Sequence, residues 1–275
     1  MKKTIILLAL VSITQTIVAQ TEKRFYVNTN FGYNIGTGNT NTYQSSLLGI
    51  VSGSETSATT SNYKVEKINL GQGLSFGLNF GYMFNKSFGL ECGANYLLGA
   101  KIKGSTTSYN GNYSNSEIEA KMFQFKPALV FRGGFEKINP YAKVGMVIGL
   151  GKIISTQNFK DGPNLETGTL ELYDATPIGF HASIGTLFAL NSKFSVFGEL
   201  NLVSLEYSAN KGKVTQSIRN GVDVLPSLTV REKKLEFIDT QSSPDISDPN
   251  QPNKTFKIPL SLNSFGFNIG LQYQL

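Results

Sequence analysis

Histidine and cysteine are nearly missing from this 275-residue chain, which has one of each, His181 and Cys92, and no Trp. One Cys excludes a disulfide framework and a thiolate zinc site, and one His excludes a metal centre built on several imidazoles. Charge is scarce too. Charged residues make up 16% of the chain, where an average soluble domain carries roughly 25%. The formal net charge is +6, but Lys2 and Lys3 belong to an N-terminal stretch without acids. Beyond it, 23 basic against 19 acidic side chains leave +4, spread along the chain with no Arg cluster. That is scattered solvated charge, and no nucleic-acid partner is expected. Past the N-terminus no apolar run reaches the ~20 residues of a membrane helix. A Gly-rich phosphate loop, a metal-ligand cluster and a haem motif are all absent, so neither cofactor nor metal is expected.

What is present begins with an address. Lys2 and Lys3 form a basic n-region, Ile5 to Val11 an apolar core, and Val18-Ala19-Gln20 a cleavage site. Residues 1–20 read as a secretory signal peptide, leaving 21–275 as a single domain with no internal repeat or linker. No Cys follows the site, so a lipidated N-terminus is not expected.

In the remainder, alternation of period two replaces helical periodicity. Residues 25–35 put Phe25, Val27, Phe31, Tyr33 and Ile35 on one face and Tyr26, Asn28, Asn30, Gly32 and Asn34 on the other. The same pattern recurs over 73–84, 88–101, 120–132, 141–152, 177–190, 194–207 and, most cleanly, 264–275. These are eight strands, each with an apolar and a small or polar face. Short connections, 85–87, 133–139 and 191–193, alternate with long ones, 36–67, 102–119, 153–176 and 208–263. Up-and-down pairing therefore puts every long loop at one end and every tight turn at the other. The last loop is rich in Pro and Asp over 243–253, a composition that predicts a mobile tip. Elsewhere Leu170, Leu172, Val222 and Val224 keep alternating within the loops. Strands could thus continue past the eight as a projecting sheet, the alternative being ordinary irregular loops.

The faces differ in what they would suit. The apolar face carries almost no charge over eight strands, as a lipid-facing band requires, and closing the sheet satisfies every backbone group without water. The other face is Gly, Ser and Asn, suited to the crowded inside of a small barrel. Aromatics gather at both strand ends: Phe25, Tyr82, Phe84, Phe88, Phe131, Phe194 and Tyr273 at the turn end, and Tyr33, Tyr96, Phe123, Phe180 and Phe265 at the loop end. Two such belts are interfacial girdles.

On the signal peptide, the eight strands, the loop alternation and the terminal strand 265–275, the chain resembles the small OmpA/OmpX-like, porin-family outer-membrane β-barrels of Gram-negative bacteria. The resemblance spans essentially the whole mature chain. It implies an all-β, eight-stranded antiparallel up-and-down transmembrane barrel with long extracellular loops and short periplasmic turns. It also implies outer-membrane lipid and lipopolysaccharide as surroundings, and the barrel-assembly machinery as a partner that reads the last strand. That strand ends on Leu275, where Phe is commoner in the family.

Three chemistries can be set against these residues. In the first, the barrel is non-enzymatic, with an envelope-structural or surface-interaction role. Its inward charges, Glu91, Lys126, Arg132, Lys143 and Glu199, then pair into a polar plug, because unpaired buried charge is costly; a narrow ion path is the alternative. In the second, His181 and Ser183 resemble the His-x-Ser pair of lipid A deacylases, with Glu199 to orient the imidazole. Alternation turns that pair inward, away from lipid. In the third, the long Ser/Thr/Asn-rich loops form an adhesin, and projecting strand edges capture an extracellular ligand.

Overall fold

The computed structural model describes residues 24–38, 50–57, 60–240 and 248–275. The signal peptide, and residues 243–247 of the Pro/Asp-rich segment, lie outside the described residues. In chain order the strands are β1 Phe25–Gly36, β2 Val51–Ser57, β3 Thr60–Val65, β4 Gly73–Met83, β5 Phe88–Gly99, β6 Ile102–Thr107, β7 Tyr113–Arg132, β8 Ile138–Asp161, β9 Asn164–Tyr173, β10 Ile178–Ala189, β11 Phe194–Ser204, β12 Glu206–Tyr207, β13 Lys211–Arg219, β14 Val222–Asp223, β15 Lys234–Ile238, β16 Asn253–Phe256, β17 Leu260–Ser261 and β18 Ser264–Gln274. One helical turn, α1 Val230–Lys233, is held by a Thr229/Glu232 capping box.

Eight of these strands close on themselves. β1, β4, β5, β7, β8, β10, β11 and β18 pair antiparallel in that order, and β18 returns to β1. The register also shows the stagger. From Tyr26 it runs through Gly81, Glu91, Ala128, Gly145, His181, Val203 and Ser264, and meets β1 again at Gly36, ten residues on. Such a shear tilts the strands, typically by about 35–45°.

The barrel inverts the burial of a water-soluble protein. Phe180 is 71% exposed and Ile269 54%, whereas Asn28 is 2% exposed and Glu91 5%. A continuous belt of bare Leu, Ile, Val and Phe is stable only against lipid, and a closed sheet leaves no edge for lipid to desolvate. Room inside comes from inward glycines. A Cβ on Gly81 would lie 2.0 Å from Cζ of the Tyr26 ring, and one on Gly185 would lie 2.6 Å from Tyr141. At the turn end, Asn85 Oδ1 accepts from the backbone N–H groups of Ser87 and Phe88, both at 2.8 Å, and Asn191 repeats this with Lys193 and Phe194. Asn is favoured in such turns because its side chain caps its own backbone. Just above these turns, Phe25, Tyr82, Phe84, Phe88 and Phe131 touch ring to ring in sequence, with centroids 4.7–5.5 Å apart.

Two features go beyond the sequence reading. First, β7 and β8 run to 20 and 24 residues. At roughly 3.3 Å per residue, β8 crosses the ~25 Å apolar band and continues far past it. There the pair becomes the centre of a nine-stranded sheet in the order β3-β2-β6-β7-β8-β9-β13-β15-β16, with parallel pairing at β2–β6 and β15–β16. Second, the lumen is not polar throughout its height. Toward the loop end its lining becomes Leu97, Met122, Val147 and Val203, and onto these pack Ile68, Leu70, Leu205, Tyr207, Leu260 and Leu262 from the connections. Tyr207 is fully buried here, and its hydroxyl donates to Gly151 O at 3.1 Å and Leu172 O at 3.3 Å. An apolar core thus fills the loop-side mouth.

Candidate functional site

The lumen below that core holds the densest chemistry. Lys143, from β8, stands between Glu91 of β5 and Glu199 of β11, with Nζ 2.8 Å from Glu91 Oε1 and 3.0 Å from Glu199 Oε2. Each carboxylate has further donors. Tyr26 OH and Asn28 Nδ2 reach Glu91 Oε2 at 2.8 and 3.1 Å. Tyr141 OH reaches Glu199 Oε2 at 3.0 Å, and Asn268 Nδ2 reaches Oε1 at 3.2 Å. Asn79 and Asn95 extend the network on one side through Asn28.

The other two inward cations stand apart from this triad. Arg132 donates to Gln272 Oε1 at 2.9 Å and lies 4.4 Å over the Tyr26 ring. Lys126 makes no ion pair among the described residues. A cavity of about 10 Å³ remains among Asn28, Glu91, Arg132, Tyr141, Lys143 and Phe197, no more than a single water needs. The alternation places Tyr26, Asn268 and Gln272 on the polar faces of their strands, but the sequence reading gave them no role, and it gave Tyr141 neither face nor role. Their signal was present: each alternates in phase with an inward charge or amide on its own strand.

His181, Ser183 and Glu199 do not form a relay. His181 and Ser183 are both buried in the lumen. His181 Nε2 and Ser183 Oγ have no hydrogen-bond partner, so they are not bonded to each other. Glu199 sits opposite Gly185 while His181 sits opposite Val203. The carboxylate is thus four residues along from the imidazole, on the order of 13 Å of strand, and its oxygens are committed to Lys143, Tyr141 and Asn268. The barrel wall separates all three from lipid.

Above the barrel, charge is organised differently. Glu117 takes Lys101 at 2.8 Å and Lys103 at 3.0 Å; Glu171 takes Lys152 at 2.6 Å and Lys213 at 3.6 Å. Hydrogen bonds from these lysines hold both carboxyls below their ordinary titration range. Among the described residues no three His, Cys, Asp or Glu side chains are grouped to hold a metal.

Architecture and sequence agree on the class. The family described as "Outer membrane protein beta-barrel domain" matches residues 4–224, and the chain belongs to it; it is an outer-membrane protein. No curated protein matches the sequence. Among solved structures, the chain is similar to the outer membrane protein OprG from Pseudomonas aeruginosa, with 12% identity and a TM-score of 0.43 over 91% of this chain and 95% of that one. It is also similar to Neisserial surface protein A, at 10% identity and TM-score 0.34 over 91% and 97% of the two chains. A third is Ail, the attachment invasion locus protein of Yersinia pestis, at 11% and 0.32 over 91% and 98%.

Proposed function

We propose that this protein is a non-enzymatic outer-membrane barrel that anchors a surface-interaction module, with the long connections outside the cell and the tight turns in the periplasm. The observation that carries this reading is the continuation of β7 and β8 out of a filled barrel into a nine-stranded sheet. The lumen supports it: ion-paired and nearly void near the turns, apolar at the mouth. A conducting pore needs a continuous aqueous path, and eight strands leave room only for side chains. The partners of this reading are outer-membrane lipid with lipopolysaccharide around the band, the barrel-assembly machinery acting on β18, and an extracellular ligand at the projecting sheet.

Planar-bilayer recording on the refolded protein tests the plug, with no stable conductance steps expected; sustained steps would favour the narrow pore. Whole-cell labelling tests orientation. On a Cys92→Ala background, Ser57→Cys should react with an impermeant maleimide and Ser87→Cys should not. The lipid A hydrolase alternative has His181 and Ser183 facing away from its substrate. Mass spectrometry of lipid A should be identical with wild type, with Ser183→Ala and without the protein; an acyl chain lost only with wild type would replace this reading.

A further inference from the structure

The projecting sheet treats its two faces differently. On one, polar side chains satisfy one another. Thr156 Oγ1 lies 3.3 Å from Thr169 Oγ1, Thr167 donates to Asn158 Oδ1 at 2.8 Å, and Thr169 donates to Gln216 Oε1 at 3.1 Å. The other face is continuous with the apolar core of the mouth, and its register sets out rows of rising polarity. Ile153 pairs with Leu172; then Ser155 with Leu170 and Val214; then Gln157 with Gly168 and Ser217; and at the rim Phe159 with Glu166 and Arg219. These upper rows enclose a cleft of about 340 Å³, a size typical of small-molecule sites.

The cleft has unspent hydrogen-bonding capacity. The side chains of Ser155, Gln157 and Ser217 line it and make no hydrogen bond among the described residues. Gly168 leaves its floor open, since an added Cβ would find only Gln216 O, at 4.0 Å. Arg219 Nε and Glu166 Oε1 close on each other at 2.7 Å, so the rim carries no net charge to select an ion. β9 is paired on both sides, with β8 and β13, and offers no free backbone edge to an extended peptide. What remains is a set of hydroxyl and amide groups, a neutralised ion pair, and the apolar surfaces of Phe159, Leu170 and Val214.

We propose that this cleft binds a neutral saccharide of about one or two rings. The C–H face of a sugar ring packs on the apolar side chains. Its hydroxyls exchange hydrogen bonds with Ser155, Gln157 and Ser217, and at the rim with the Glu166 carboxylate as acceptor and the Arg219 guanidinium as donor. The proposal rests on the surface-interaction reading, since the sugar has to arrive from outside the cell.

Full-length protein refolded into detergent micelles is screened on an array of neutral and charged glycans, and calorimetry gives the affinity for each neutral glycan retained. At least one neutral glycan should be held by wild type. Gln157→Ala and Ser217→Ala should each weaken it roughly three- to tenfold, as for one lost hydrogen bond, and Gly168→Leu should abolish it by filling the floor. Gel mobility of unheated samples reports folding. Gln157→Ala alters an exposed side chain and keeps the test decisive if Gly168→Leu does not fold. The proposal is overturned if no neutral glycan is retained, if only charged glycans are, or if the variants leave affinity unchanged. Labelling Asn164→Cys, the first residue of β9 beside the turn from β8, on intact Cys92→Ala cells separates the two readings. Labelling without glycan binding removes the saccharide proposal alone; absence of labelling removes both.

Discussion

Replacing Lys143 with Met removes the one cation shared by two buried carboxylates. Lys143 is 8% exposed, Glu91 5% and Glu199 7%, so water cannot take over its role. Two ion pairs, at 2.8 and 3.0 Å, are lost together. Breaking a single buried pair costs about 3–5 kcal/mol, mostly as the penalty of the stranded charge. Here the stranded glutamates keep neutral donors: Tyr26 and Asn28 on Glu91, Tyr141 and Asn268 on Glu199. Each hydrogen bond to a charged group contributes about 1.5–3 kcal/mol, which holds the loss within that same 3–5 kcal/mol instead of doubling it. Glu91→Gln leaves Lys143 paired with Glu199 and should cost less. The triple change Glu91→Gln, Lys143→Met, Glu199→Gln strands no carboxylate and keeps amides where carboxylates accepted, while Lys126 loses the attraction of Glu199; it should be more stable than Lys143→Met alone. Denaturant titration of barrels refolded in lipid vesicles measures all three, provided the slope with denaturant is unchanged. If Lys143→Met lies within about 1 kcal/mol of wild type, or the triple variant is no more stable than the single one, stranded charge is not what this lumen resists.

Three further outcomes follow from other parts of the molecule. Met146→Arg, at the centre of the outward row of β8, should destabilise the barrel in lipid by about 2–4 kcal/mol; unchanged refolding would invert the two faces. Gly81→Ala should cost about 1–3 kcal/mol by overpacking against the fully buried Tyr26, seen as a lowered unfolding midpoint. Glu117 and Glu171 have carboxyls held low by lysine hydrogen bonds. A depressed carboxyl contributes stability above its unfolded value, about 4.3, and loses it as pH falls through the folded value. Acidification from pH 7 to below 4 should therefore lower the hydrogen-exchange protection factors, corrected for the intrinsic amide rate at each pH, in β6, β9 and β13 while the barrel strands stay protected; equal protection factors at both pH values would contradict this.

The barrel strands were legible because two solvents meet across one sheet: every second residue in β1, β4 and β18 answers to lipid and the others to a packed interior. Where that contrast ends, so does the signal. β2, β3 and β6 are runs of Ser, Thr, Gly and Lys with water near both faces, and their pairing, including the parallel contact of Gly53 and Ser54 with Thr106 and Thr107, is set by tertiary position. The apolar filling of the mouth did leave a trace. Doublets such as Leu97-Leu98, Met122-Phe123, Val147-Ile148 and Leu202-Val203 break the alternation because lipid lies on one side and the mouth core on the other. The interior charges were recognisable by phase. Which of them meet depends on the stagger around the barrel, and that is why Lys126 and Arg132 fell outside the triad.

Closure of β18 on β1 also sets the order in which the molecule can be made. Gln274 Nε2 reaches Phe25 O at 2.7 Å across 249 positions of chain, and Leu275 N donates to the same carbonyl at 2.9 Å. The first strand of the barrel therefore waits, one edge bare, until the last residues have been delivered. Pairing over such separations must overcome the entropy of the whole intervening loop, so it is slow. For that interval both terminal strands are open to any passing segment of like kind. A helper that shields them, or templates the final seam, would act on the kinetics of birth and leave no mark on the finished wall.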